Sequence, residues 1–300
     1  MSKRALVLLL LVAASGCVRP GPHGTSAPRE DMVKVGGAWL RVRDLGPRES
    51  GRVPVLLLHG YGSRLEAWAP VQEALAAERR VVAFDQRGFG FSERPEGEYG
   101  PEAHARDALA LMDALGLERV VVAGHSYGGG VALRLALDAP ERVEGLLLVS
   151  TFALEEQIPE SFRWAQVAGL GELIFGAFYK QVPGEKSLLA FHDRDRFVTL
   201  EALDEMRAMM ARPGSTYAAL ETVRGMRYTE AEERYGALKV PVRVVWGRDD
   251  RALPLAQGRR LAGRLSVPLD VIEDCGHLPL FEQPASVVRV ARELLGEVEP

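Results

Sequence analysis

Apolar residues are arranged in four different ways along the 300-residue chain. An unbroken apolar run at 5–14 comes first, behind Lys3 and Arg4. From Met32, apolar and polar residues alternate about Gly36-Gly37 in MVKVGGAWLRVRDLG, the pattern of an antiparallel hairpin at a sheet edge. Short runs with apolar centres follow: VPVLLLHG at 53–60, RVVAFDQRG at 80–88, ERVVVAGHS at 118–126 and VEGLLLVST at 143–151. Such runs predict strands buried on both faces. Between them lie helix-like stretches at 65–77, at 102–115 behind Pro101, and after Ser126 as far as Pro140. Strands alternating with helices predict an α/β fold, a mostly parallel sheet with helices on both faces.

The alternation breaks at Phe152 and resumes near Val240 with VPVRVVWG, a helix at 255–265, the strand LDVIEDCG and a last helix at 281–295. Residues 152–235 lack strand-like runs. They carry apolar side chains at helical spacing, among them Phe162, Trp164, Leu170, Leu173, Phe175 and Tyr179, then Met206, Met209 and Met210. A helical insertion between two strands is expected to cap the carboxyl edge of the sheet, where open α/β sheets bind ligands. Most of its apolar residues should form its own small core, with a minority lining a cavity. The expected division is a core of 31–151 and 236–300 with a helical cap of 152–235.

The ten apolar residues at 5–14 are too few to span a bilayer and suit an export signal. Ser15-Gly16 directly before Cys17 resembles a bacterial lipobox, in which the cysteine is lipidated and becomes the new N-terminus. Residues 1–16 are therefore expected to be a lipoprotein signal peptide, and 17–30, rich in Pro, Gly and small polar residues, a flexible tether. The expected location is the bacterial cell envelope, with the protein held to a membrane through Cys17. If Cys17 is acylated, Cys275 has no partner, and no disulfide framework is expected. The formal charge is −4, and the arginines are spread along the chain without a basic, aromatic-laced stripe, so nucleic-acid binding has no support.

Gly124-His125-Ser126-Tyr127-Gly128 fits G-x-S-x-G and falls where a buried strand meets a helix. Small residues two places before and after the serine would let it occupy a strained turn. A serine hydroxyl needs a base, and histidine is the usual one. His23 lies in the tether and His192 in the cap. His104, early in a helix, is expected to be exposed or a capping residue. His59 and His125 end strands and are expected to pack or hydrogen-bond there. His277, in DCGHLPLFEQP after the last strand, is the expected base. WGRDDRALP offers Asp249 and Asp250 after a buried strand; Asp250 is favoured as the acid that orients His277, its neighbour as a turn or capping residue. Oxyanion donors are expected from the backbone N–H of Tyr127, at the start of a helix, and of Tyr61, in His59-Gly60-Tyr61-Gly62. No metal or organic cofactor is expected, since no cluster of His, Cys and carboxylates has ligand spacing along the chain.

These motifs together resemble the α/β-hydrolase family, from about residue 32 to 297. They are His59-Gly60-Tyr61-Gly62, the stretch from Asp85 to Ser92, the Ser126 elbow, Gly247 with Asp250 and Pro254, and Gly276-His277. The chain order serine, acid, histidine agrees with that family. The resemblance implies an α/β-hydrolase fold with a helical cap and a serine hydrolase acting through an acyl-enzyme on a carboxylic ester of a hydrophobic small molecule. It assigns Asp85, Arg87 and Ser92 to a structural turn. Family members with an aspartate nucleophile are disfavoured by Ser126. Carbon–carbon bond hydrolases, perhydrolases and aminopeptidases keep the serine and remain alternatives. So does a lipoprotein that uses the pocket only to hold a lipid or signal molecule.

Overall fold

The computed structural model describes residues 29–179 and 189–299; the apolar run, Cys17 and His23 lie outside them. Eight strands form one sheet: β1 (Met32–Val35), β2 (Ala38–Leu45), β3 (Val55–Leu58), β4 (Val81–Phe84), β5 (Val120–His125), β6 (Val143–Val149), β7 (Val242–Gly247) and β8 (Leu269–Ile272). Their order is β1-β2-β4-β3-β5-β6-β7-β8. β2 pairs antiparallel with β1 and with β4, and every later pairing is parallel. The first hairpin turns on Gly36 and Gly37, both with positive φ (54° and 82°), as a two-residue turn between twisted strands requires.

Helices α1 (Ala69–Ala76), α2 (Pro101–Ala114) and α3 (Tyr127–Asp138) follow β3, β4 and β5. The segment 152–235 carries α4 (Glu160–Ala165), α5 (Leu170–Phe178), α6 (Arg194–Phe197), α7 (Leu200–Met210), α8 (Ser215–Gly225) and α9 (Thr229–Arg234), and no strand among the described residues. The chain ends with α10 (Leu255–Leu265), α11 (Pro279–Glu282) and α12 (Pro284–Val298). The single last helix expected at 281–295 is thus two. Pro284 disfavours helical backbone at the residue before it, and Gln283 sits at φ −139°, ψ 54°.

Alternate residues of the central strands enter opposite cores, which is why these strands are apolar throughout. Val55, Leu57, Val121, Ala123 and Leu147 face α1 and α12. Leu56, Leu58, Val120, Val122 and Leu146 face α2 and α3. The second core runs on without a break into the cap through Phe152, Phe175, Met210 and Leu220. Trp164, Leu170 and Leu173, read from the sequence among residues expected to form the cap's core or line a cavity, stand exposed (56, 39 and 41%). Helical spacing marks a face but cannot say whether anything covers it. Among the described residues, no helix is long and apolar enough to cross a membrane.

Candidate active site

Ser126 links β5 to α3 with φ 51° and ψ −121°, a conformation that costs a non-glycine residue roughly 1–3 kcal/mol. Its surroundings hold it there. Its N–H donates to the Val149 carbonyl, and its own carbonyl accepts from the N–H groups of Gly129 and Phe152, each at 2.9 Å. A Cβ on Gly124 would stand 2.4 Å from the Gly128 carbonyl oxygen, and one on Gly128 2.4 Å from that of Leu58. The glycines flanking the serine are therefore a steric necessity of the turn.

His277 lies in the loop between β8 and α11, with Nε2 3.0 Å from Ser126 Oγ. Its Nδ1 is 2.8 Å from Asp250 Oδ2. The Asp250 side chain is fully buried, and its other oxygen accepts the N–H groups of Ala252 (3.0 Å) and Leu253 (2.7 Å). A carboxylate so held accepts a hydrogen bond from the Nδ1–H, which keeps that proton on Nδ1 and leaves the Nε2 lone pair facing the hydroxyl. Asp249 points the other way, its Oδ2 2.8 Å from His192 Nδ1. The main chain of His277 is also fixed: its carbonyl meets His125 Nε2 at 2.8 Å, and its N–H donates to the Ala190 carbonyl at 2.6 Å.

Three other histidines are buried and neutral. Burial lowers His59 to about 4. Burial, with the Arg87 charge adding to it, lowers His104 to about 3. Burial, with His277 nearby, lowers His125 to about 3. His59 Nε2 accepts the Gln86 N–H, and its Nδ1 meets the Gly60 carbonyl. His104 corrects the sequence reading, being 1% exposed rather than exposed or capping. Its Nε2 donates to the Arg87 carbonyl, and its Nδ1 accepts the Tyr127 hydroxyl at 2.6 Å. Its spacing from Ala108 and Leu111, both buried, was the signal that placed it on the inner face of α2.

Tyr127 opens α3, where backbone N–H groups have no partner within the helix. Gly60 abuts the serine, for a Cβ there would come 3.2 Å from Ser126 Cβ. Tyr61 follows it and donates its hydroxyl to the Ala219 carbonyl of α8 at 3.1 Å, so this loop carries cap structure directly. Asp85, Arg87 and Ser92 build a turn beneath it. Asp85 accepts the N–H groups of Leu65 and Phe91, Ser92 Oγ donates to the Asp85 carbonyl, and Arg87 pairs with Asp107. Cys275 is a buried free thiol whose burial suppresses its ionisation. Folding also assembles a group invisible in sequence spacing: His192, Asp249 and Asp274 each bring one potential ligand atom within 4.8 Å of the others. They are exposed or half-buried, and His192 and Asp249 pair with each other.

Comparison with known proteins agrees with this architecture. The chain is 30% identical over 277 residues to the 2-hydroxy-6-oxo-2,4-heptadienoate hydrolase of Pseudomonas putida, covering 88% of this chain and 95% of that one. It is 31% identical over 260 residues to the 2-hydroxymuconate semialdehyde hydrolase of Pseudomonas sp. strain CF600, covering 82% and 88%. Among solved structures, a thermophilic esterase from Thermogutta terrifontis superposes with a TM-score of 0.74 at 29% identity, covering 90% of this chain and 99% of that one. The model of the alpha/beta hydrolase fold matches residues 53–284, and the chain belongs to that family of hydrolases.

Proposed function

We propose that the chain is a serine hydrolase that cleaves a carboxylic ester of a hydrophobic small molecule. One observation carries the reading: Ser126 Oγ, His277 and Asp250 stand in a continuous relay of 3.0 and 2.8 Å. As Ser126 Oγ attacks the carbonyl carbon, His277 Nε2 takes its proton, and Asp250 stabilises the imidazolium. The oxyanion accepts hydrogen bonds from the N–H groups of Tyr127 and Tyr61. Collapse expels the alcohol, which leaves with the proton from His277. Water, deprotonated by the same imidazole, then releases the acid from Ser126.

A second reading, hydrolysis of a carbon–carbon bond beside a carbonyl, gains support from the relatives named for 2-hydroxy-6-oxo-2,4-heptadienoate and 2-hydroxymuconate semialdehyde. The esterase at 29% identity supports the ester. Two measurements separate them. A series of p-nitrophenyl esters of graded acyl length tests the first, and loss of the absorbance of a 2-hydroxy-6-oxo-dienoate tests the second. Labelling by a fluorophosphonate, lost in Ser126→Ala, is expected under either reading; an unlabelled wild-type chain would make it a binding protein. The lipobox-like sequence at Cys17 further supports anchoring in the cell envelope, which the mass of the mature N-terminus would test.

A further inference from the structure

A carboxylate outside the triad joins its histidine to the cap. Glu282, the last residue of α11, is half-buried. Its Oε1 accepts the N–H of Gly276 at 2.8 Å, and Oε2 accepts those of His192 at 2.8 Å and Asp193 at 3.4 Å. Gly276 immediately precedes His277, whose own N–H reaches the Ala190 carbonyl at 2.6 Å. The cap segment 190–193 thus meets the histidine loop both directly and through one side chain. The fit is close, for a Cβ on Gly276 would stand 2.6 Å from the Ala190 oxygen, 2.7 Å from the His192 nitrogen and 2.9 Å from Glu282 Oε1. No cation lies within ion-pair distance of Glu282 among the described residues, so its charge faces backbone donors, where hydrogen bonds are roughly twice as strong as neutral ones.

We infer that Glu282 is a positioning residue for this reaction, fastening cap segment 190–193 to the loop of His277 so that the imidazole stays aimed at Ser126. The inference rests on the serine-hydrolase reading. Asp250 fixes the His277 ring and His125 holds its carbonyl; the cap contact is the third restraint, on the N-terminal side of the loop. Releasing it lets the loop tilt, and a misplacement of about 1 Å can cost on the order of 10²-fold in rate.

In Glu282→Ala, kcat for an ester substrate is expected to fall about 10- to 100-fold with KM within about threefold. Fluorophosphonate labelling should slow in parallel. The downfield proton resonance of the His277–Asp250 hydrogen bond, identified by its absence in His277→Gln, should broaden or vanish. Glu282→Gln, which keeps one acceptor oxygen and presents an N–H₂ to the other donors, should fall between the two. If the alanine variant does not fold, the glutamine variant alone decides. Unchanged labelling rates and an unchanged downfield proton in folded Glu282 variants would overturn the role of Glu282, whatever happens to kcat. A wild-type chain that the probe does not label would overturn the serine-hydrolase reading instead, and this inference with it.

Discussion

At the scale of single residues, the two adjacent aspartates offer a sharp test. Asp250 is buried and accepts a hydrogen bond from Nδ1–H of His277, whereas Asp249 is 36% exposed and pairs with His192. Asp250→Asn would donate a hydrogen bond where an acceptor is needed and favour the wrong tautomer. Its kcat should fall on the order of 10⁴-fold with little change in melting temperature. Asp249→Asn should stay within about threefold of wild type, since a half-exposed pair contributes little. Ester turnover by both variants checks this, and a reversal of the two effects would reassign the acid. Ser126→Ala should lose about 10⁵-fold or more and remain folded by circular dichroism. The serine and histidine were legible because their neighbours are unusual: glycines around one, a strand end before the other. Glu282 was not, because its partners are backbone groups, which carry no sequence identity.

At the scale of elements, the strand ends decide where chemistry can occur. Gly60 closes the turn after β3 against the serine, and a Cβ there would lie 3.1 Å from His125 Nδ1 and 3.2 Å from Ser126 Cβ. Gly60→Ala should push the loop carrying the Tyr61 N–H outward. The expected loss is about 10²-fold in kcat, the scale of one oxyanion donor, with stability nearly kept. Gly128→Ala differs, because its Cβ would strike the Leu58 and His59 carbonyl oxygens at 2.4 and 2.5 Å. Overpacking there should cost about 1–3 kcal/mol or more, read as a lower urea midpoint or as insoluble protein. The strands were legible as apolar runs, and so was the helical character of 152–235. The break at Gln283 was also written in the sequence, by Pro284, yet apolar periodicity runs through it and conceals it.

At the scale of the whole molecule, buried histidines tie stability to pH. His59, His104 and His125 are held near 4, 3 and 3, below the roughly 6.5 of an unfolded chain. Unfolding below about pH 6.5 therefore takes up protons, so this stability is present above that pH and is lost as pH falls toward 4. Asp85 works against them. Burial raises it to about 6, so the fold holds a proton that the unfolded chain releases above about pH 4. Three uptakes against one release leave a net slope near pH 5 of roughly 3 kcal/mol per pH unit. Urea midpoints at pH 7, 6 and 5 should fall accordingly, and His104→Gln should remove about half of the net slope near pH 5. Midpoints that do not change with pH would mean that these imidazoles are solvated.

The sequence by itself determined the order of strands and helices, the strained turn at Ser126 and which histidine follows the last strand. These depend on local sterics and on which residues avoid water, both written in a short window of chain. Only the tertiary structure decided which aspartate faces His277, that His104 is buried, that Trp164 is not, and that Glu282 reaches from α11 to the cap. Each of those depends on what lies opposite a side chain, and the opposing group comes from elsewhere in the chain, up to 90 residues away for Glu282 and His192.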